Sequence, residues 1–327
     1  MKIEEKLKWI QPIVFKQMQQ TVKQNQLAHA YLFEGVSGTG KKDLALWLAA
    51  SLFCQNPHDH LPCEECSTCV RVLQHQHPDV IEIAPDGLSI KVEQVRDLKA
   101  EFSKSGVEGK QKVFIVEDVE KMTIGAANSL LKFLEEPDGK VVAFLLTTAK
   151  QRLLPTILSR CQLIHFQPLS KKRLLAELEK KELPVSQASL LVHLTNSLET
   201  AIEMSQDEWF NEARKIIWKW FVLVSKKEQQ GFVFVQTDIM PHFKDREHYL
   251  LVVDLLLLAY RDALMLNYEA VDILAYPQHQ EILKETAGRF NGAHLTEALE
   301  TILLSRKKLE SNVNAQGVFE QLSLLLI

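Results

Sequence analysis

The stretch from His29 to Lys42 constrains the fold more than any other part of the chain. A short apolar run, Ala30 to Phe33, leads into Gly35-Val36-Ser37-Gly38-Thr39-Gly40-Lys41-Lys42. A phosphate-binding loop needs this order: a buried strand, a turn built on glycines, a lysine, then a helix whose first N–H groups face the phosphates. An ordinary glycine turn would need none of this context. The helix composition of Lys41 to Phe53 (KKDLALWLAASLF) favours the phosphate loop. One position departs from the pattern. The residue after the lysine is normally Ser or Thr, whose hydroxyl ligates Mg²⁺, and here it is Lys42. An ammonium fixed about 6 Å from Mg²⁺ costs up to about 5 kcal/mol at an effective dielectric of 20, most of it avoided if the side chain swings outward. The expectation is a nucleotide-switch fold that has given up efficient hydrolysis.

The cysteines come next. Of the five, Cys54, Cys63, Cys66 and Cys69 fall within sixteen residues and Cys161 stands apart. Two residues between ligands let adjacent sulfurs reach one ion, and four thiolates close a tetrahedral Zn²⁺ shell with no open position for a catalytic water. A redox Cys-x-x-Cys pair would use only two of the four, and chance clustering none. The spacing points to structural zinc, which fastens this excursion with a local folding energy on the order of 10 kcal/mol. The nearby His58, His60, His75 and His77 read as solvated or capping residues.

A net charge of −4 with 24% charged residues leaves no clustered basic footprint, so any role on DNA runs through partners. The N-terminal MKIEEKLKWI lacks the apolar core of a signal peptide, and the run from Leu250 to Tyr260 is broken by Asp254. A cytoplasmic protein is expected.

Periodicity organises the remainder. Strands are predicted near 30–34, 80–84, 112–117, 142–148 and 162–166, with helices over 10–26, 41–53, 92–102 and 123–136, the last stopped by Pro137-Asp138-Gly139. Apolar strands alternating with helices imply a parallel sheet covered on both faces. Glu117 and Asp118 sit at the carboxyl end of the third strand, where α/β proteins bind ligands, and either hold a metal or simply cap the following turn. Arg160 precedes the last strand; its position alone does not separate a functional arginine from a solvated one. After Pro168 the pattern is helical, with segments over 170–182, 185–194, 198–205, 209–224, 248–266, 295–309 and 313–327.

With these pieces in order, the chain resembles the delta-prime family of the bacterial DNA polymerase III clamp loader and the related AAA+ clamp-loader ATPases. The matching residues are His29 to Phe33, Gly35 to Lys41, the four cysteines, His77-Pro78-Asp79, Val113 to Asp118, Asn128 to Pro137, Leu154 to Cys161 and the tail Asn312 to Gln316. The resemblance implies a RecA-like AAA+ domain over 1–166 with the zinc module at 54–69, a helical lid over 167–206 and a helical collar over 207–327. It implies a hetero-pentamer with clamp-loader ATPase subunits and a delta subunit, which places the sliding clamp on primed DNA. In that family Ser159-Arg160-Cys161 matches the motif whose arginine enters a neighbour's ATP site in trans, and Thr148 matches the sensor 1 position. Three departures mark a degenerate nucleotide site. They are Lys42, the order Glu117-Asp118 where the ATPases have Asp then Glu, and Thr200 in the region of the sensor 2 arginine. Gly35, Gly38, Thr39, Gly40 and Lys41 still form a cradle that can hold a phosphate. The expectation is a stator without ATPase or polymerase activity of its own. The alternatives are an active motor subunit of the same machine and a zinc-stabilised adaptor outside replication.

Overall fold

The computed structural model describes residues 2–103, 111–135, 140–270, 273–311 and 313–327. The Pro137-Asp138-Gly139 helix stop and Asn312 of the C-terminal motif lie outside the described residues. The chain forms two compact units, Met1–Leu169 and Ser170–Ile327.

The first unit contains α1 (Ile3–Ile10), α2 (Pro12–Lys23), β1 (Ala30–Glu34), α3 (Lys41–Phe53), α4 (Ser67–Leu73), β2 (Val80–Ile83), α5 (Val92–Ser103), β3 (Gln111–Val116), α6 (Ile124–Glu135), β4 (Lys140–Thr147), the single turn α7 (Pro155–Leu158) and β5 (Gln162–His165). The strands form one parallel sheet in the order β2-β3-β4-β1-β5. Their continuous apolar runs follow from burial on both faces. Side chains alternate across β1. Tyr31 and Phe33 join Phe15, Trp47, Phe144 and Phe166 on one face, with α1 to α4. Ala30 and Leu32 join Phe114, Val116, Leu130, Leu145 and Ile157 on the other, with α5, α6 and α7. The register pairs Glu34 with Thr147, so the loops after β1 and β4 emerge side by side at one edge of the sheet.

The helix predicted over 10–26 is the shorter α2, and a separate helix, α1, ends just before it. Gln11 takes φ −135° and ψ 57°, outside the helical region, because Pro12 crowds the residue before it and then starts α2 at its first position. Within the N-terminal stretch that lacks a signal-peptide core, Ile3–Ile10 form α1 and bury Leu7 and Ile10. Ile13, at helical spacing from the buried Ile10, is nevertheless 83% exposed.

The second unit is all helical: α8 (Lys171–Lys180), α9 (Val185–Leu194), α10 (Leu198–Gln206), α11 (Glu208–Ser225), α12 (Gln230–Phe234), α13 (Met240–His242), α14 (Arg246–Asn267), α15 (Gln280–Arg289), α16 (Gly292–Glu310) and α17 (Ala315–Leu326). Ser170, Ser197, Asp207, Asp245, Asn291 and Asn314 each cap the helix that follows with a side-chain oxygen. A π-helical turn, Val235–Ile239, joins α12 to α13. Trp220 is fully buried, and its indole N–H donates to Gly231 O and Ser323 Oγ, both at 3.1 Å, which ties α11 to α12 and α17. Trp209, also on α11, is only half-buried and stacks on His248 at 3.8 Å.

Trp220→Phe keeps an aromatic ring but removes the donor together with the pyrrole part of the indole. Two buried acceptors then lose a partner, and the second unit is expected to lose about 1–3 kcal/mol of stability in urea denaturation followed by circular dichroism. An unchanged midpoint would show that the N–H contributes nothing.

Candidate nucleotide site and four-cysteine centre

The loop Gly35–Gly40 leaves β1 at the carboxyl edge of the sheet and delivers the chain into α3. Gly35 donates its N–H to Thr147 O (3.1 Å), and a Cβ there would lie 2.6 Å from Phe166 O. Gly40 precedes the helix at φ +83°, and a Cβ would lie 2.3 Å from Ile10 Cδ1. Thus α1 packs directly against the loop. Gln11 braces it further, donating through Nε2 to Thr39 O (3.1 Å) and Gln167 O (2.6 Å). The Lys41 ammonium folds back and donates to Gly35 O (2.5 Å) and Val36 O (2.8 Å). Burial lowers its pKa, against the pull of Asp118 and Glu120. Gly35, Gly38, Thr39, Gly40 and Lys41, the expected cradle residues, lie on the one turn between β1 and the start of α3.

Lys42 does not swing outward. Its ammonium donates to Glu117 Oε1 at 2.8 Å and pairs with Glu82 Oε2 at 3.0 Å. Burial pushes this ammonium down, but the two carboxylates more than reverse it, and its pKa lies above the usual lysine value. The other oxygen of Glu82 meets His75 Nδ1 at 2.5 Å. Asp118 turns away with φ +48° and pairs with Lys121 at 2.9 Å. Thr148 lies one residue past β4 and is exposed; its hydroxyl and N–H donate to Glu120 Oε1 at 2.6 and 3.1 Å. Thr147, which ends the strand and is buried, donates to Glu120 Oε2 at 2.8 Å. Burial raises the Glu120 carboxyl, but these donors outweigh it and lower the pKa. Sequence reasoning missed Glu82 and Glu120. The only hint was that Glu82 is the one polar residue within the apolar β2 and that acids cluster after β3.

Arg160 follows α7 and is one-third exposed. Its guanidinium forms an ion pair with Glu135, at the end of α6, and donates to Thr156 O at 2.9 Å. Ser159 Oγ donates to the same carbonyl at 3.1 Å. Among the described residues, none of these contacts reaches the loop 35–42. Burial pushes the neighbouring Cys161 thiol up to about 12, so it is an inert packing group and not a nucleophile. Thr200 lies in the second unit, its N–H capped by Ser197 Oγ at 3.2 Å.

The four cysteines converge. Cys54 ends α3, Cys63 and Cys66 lie in the following loop, Cys69 lies in α4, and all four sulfurs are within 4.8 Å of one another. The Cys54–Cys63 and Cys63–Cys69 sulfur distances are 3.6 and 4.0 Å. Four sulfurs about 2.3 Å from a tetrahedral ion lie roughly 3.8 Å apart, so the donor set fits such an ion. Backbone N–H groups of Cys63, Cys66 and Cys69 donate to the sulfurs of Cys54, Cys63 and Cys66 at 3.4, 3.3 and 3.4 Å. Burial acts to raise the Cys66 thiol, but N–H donors from Cys69 and Gln55 and the neighbouring thiols bring it down to about 6. Cys54 and Cys69 are pushed up by burial. A bound cation would compensate the charge that burial otherwise suppresses. Glu64, between the second and third cysteines, accepts N–H bonds from Ile3 (3.0 Å) and Glu4 (2.9 Å) and so caps α1.

The parallel sheet, the glycine loop between β1 and α3 and the acid at the end of β3 define a RecA-like AAA+ module carrying a four-cysteine centre. The family described as DNA polymerase III, delta subunit, matches residues 10–170. The DNA polymerase III subunit delta-prime of Bacillus subtilis (strain 168) is 41% identical over 317 residues, covering 97% of this chain and 96% of that protein. The delta-prime subunit of Haemophilus influenzae is 30% identical over 260 residues, covering 78% and 76%. A DNA polymerase III gamma subunit-related protein of Thermotoga maritima shares the fold, with a TM-score of 0.50, 20% identity and coverage of 94% and 97%. The chain belongs to the delta-prime family of DNA polymerase III subunits. Among the described residues no helix is long and apolar enough to cross a membrane.

Extensively dialysed protein is expected to retain one tetrahedrally coordinated metal ion per chain by elemental analysis. Cys69→Ala should lose the ion and lower the thermal midpoint of the first unit. A metal-free wild-type chain of unchanged stability would show that the cysteines only pack.

Proposed function

We propose that this chain is the stator of a bacterial clamp loader. It joins clamp-loader ATPase subunits and a delta subunit in a hetero-pentamer that loads the sliding clamp on primed DNA in the cytoplasm. The first 166 residues serve as the AAA+ module, 167–206 as the lid and 207–327 as the oligomerising collar. The four cysteines hold a structural Zn²⁺, which fastens the excursion between α3 and α4 and takes no part in chemistry.

One observation carries the reading of the nucleotide site. The ammonium of Lys42 sits against Glu117, the carboxylate placed to serve a metal ion. The chain thus supplies its own cation there, and Mg²⁺ would meet both the ammonium's repulsion and a carboxylate already neutralised. The glycines and Lys41 retain a phosphate cradle, so a nucleotide can be held without being hydrolysed. Arg160 is the group lent to the adjoining ATPase subunit. In the isolated chain its charge is balanced by Glu135, and a neighbour's triphosphate would compete for it as a stronger anionic partner.

Two measurements test this. Arg160→Ala should assemble normally in the reconstituted complex yet lower clamp-stimulated ATP hydrolysis at the adjoining site by up to about 10³-fold. Unchanged turnover would reject the role in trans. Lys42→Thr restores the alcohol and removes the ammonium, and should tighten Mg²⁺-dependent binding of a fluorescent ATP analogue to the isolated chain. Equal affinity before and after would clear Lys42 of excluding the metal. Robust Mg²⁺-driven hydrolysis by the unaltered chain, abolished in Lys41→Ala, would make the motor reading correct.

A further inference from the structure

A second concave site lies in the helical unit, away from the phosphate loop in sequence and composed differently. A cavity of about 320 Å³ opens between α9, α11 and the turn that carries Tyr276 and His279. That is the size of a small ligand site. Leu190, Trp218 and Tyr276 form apolar walls. The wall is held in place by its own contacts. Trp218 stacks on His279 at 4.1 Å with the rings 10° from parallel, and meets Tyr276 at 5.0 Å. The Tyr276 hydroxyl donates to Leu255 O at 3.0 Å and is therefore occupied within the core.

One polar group in this setting has no partner. Arg214 lines the same cavity, one helical turn before Trp218, and its buried Nε–H makes no hydrogen bond. That nitrogen is shielded from solvent, but the guanidinium as a whole lines the cavity and, among the described residues, meets no carboxylate, so an anionic group brought by a ligand finds an uncompensated cation there. The adjacent Lys215 is already paired with Glu212 at 3.2 Å.

We propose that this cavity captures the free carboxyl terminus of a partner polypeptide whose last side chain is apolar, with the terminal carboxylate on Arg214 and the side chain against Leu190, Trp218 and Tyr276. A terminal residue carries its charge one bond from the Cα that bears the side chain, so one residue supplies both features at the required closeness. Nucleic acid fits less well. A phosphate backbone calls for a track of cations, and here the cavity offers Arg214 and one lysine, Lys215, already paired with Glu212.

The test is calorimetric titration of the full chain with N-acetylated pentapeptides ending in Phe, Leu or Trp, each as free acid and as carboxamide. Saturable one-site binding of at least one acid is expected, with its amide weaker by about tenfold or more, the worth of a hydrogen bond to a charged group. Arg214→Gln should bring the acid down to the level of the amide and leave the amide unchanged. Trp218→Ala should weaken both. Equal affinity of acid and amide for the unaltered chain, or no binding of any peptide at millimolar concentration, would overturn the proposal without reliance on a variant that fails to fold. Displacement of bound peptide by a thymidine decamer at lower concentration would reassign the cavity to nucleic acid.

Discussion

The Lys42 ammonium, between Glu82 and Glu117, joins the first turn of α3 to the carboxyl ends of β2 and β3. These are the elements that a phosphate-loop protein must hold in register around a nucleotide and its metal. In this chain a side chain holds them. The three groups are partly exposed, so the contribution to folding is modest. The consequence lies in charge and position. A carboxylate neutralised by an internal cation is a weaker metal ligand than a free one. In this member of the delta-prime family the loop carries its glycines and Lys41 beside an ion-paired Lys42.

Much of this was legible in the sequence because it rested on local rules. The five strands appear within a residue or two of their expected bounds, since uninterrupted runs such as Val113 to Val116 fit only a strand buried on both faces. The cysteine cluster followed from spacing alone. The break at Gln11 escaped notice although Pro12 announces it, because the apolar stripe on both sides has helical spacing and masks the discontinuity. Likewise the segments 230–242 and 280–289 carry weak patterns; their helices are short, and a π turn interrupts the first.

The details of the site were less accessible, for a physical reason. Pairs such as Lys42–Glu82, Thr148–Glu120 and Arg160–Glu135 join residues 25 to 40 positions apart, brought together only by the parallel crossovers of the sheet. No local period encodes them. Thr148 matches the sensor 1 position by resemblance, but no pattern announced that it and Thr147 are both bonded to Glu120, whose position in the turn after β3 has no distinguishing composition.

The capping of α1 by Glu64 joins two centres that sequence treats as separate. Glu64 lies between Cys63 and Cys66 in the chain and caps the start of α1, and the far end of that helix, at Ile10, rests on Gly40. One eight-residue helix is thus braced at both ends, by the cysteine loop where it starts and by the glycine turn where it finishes.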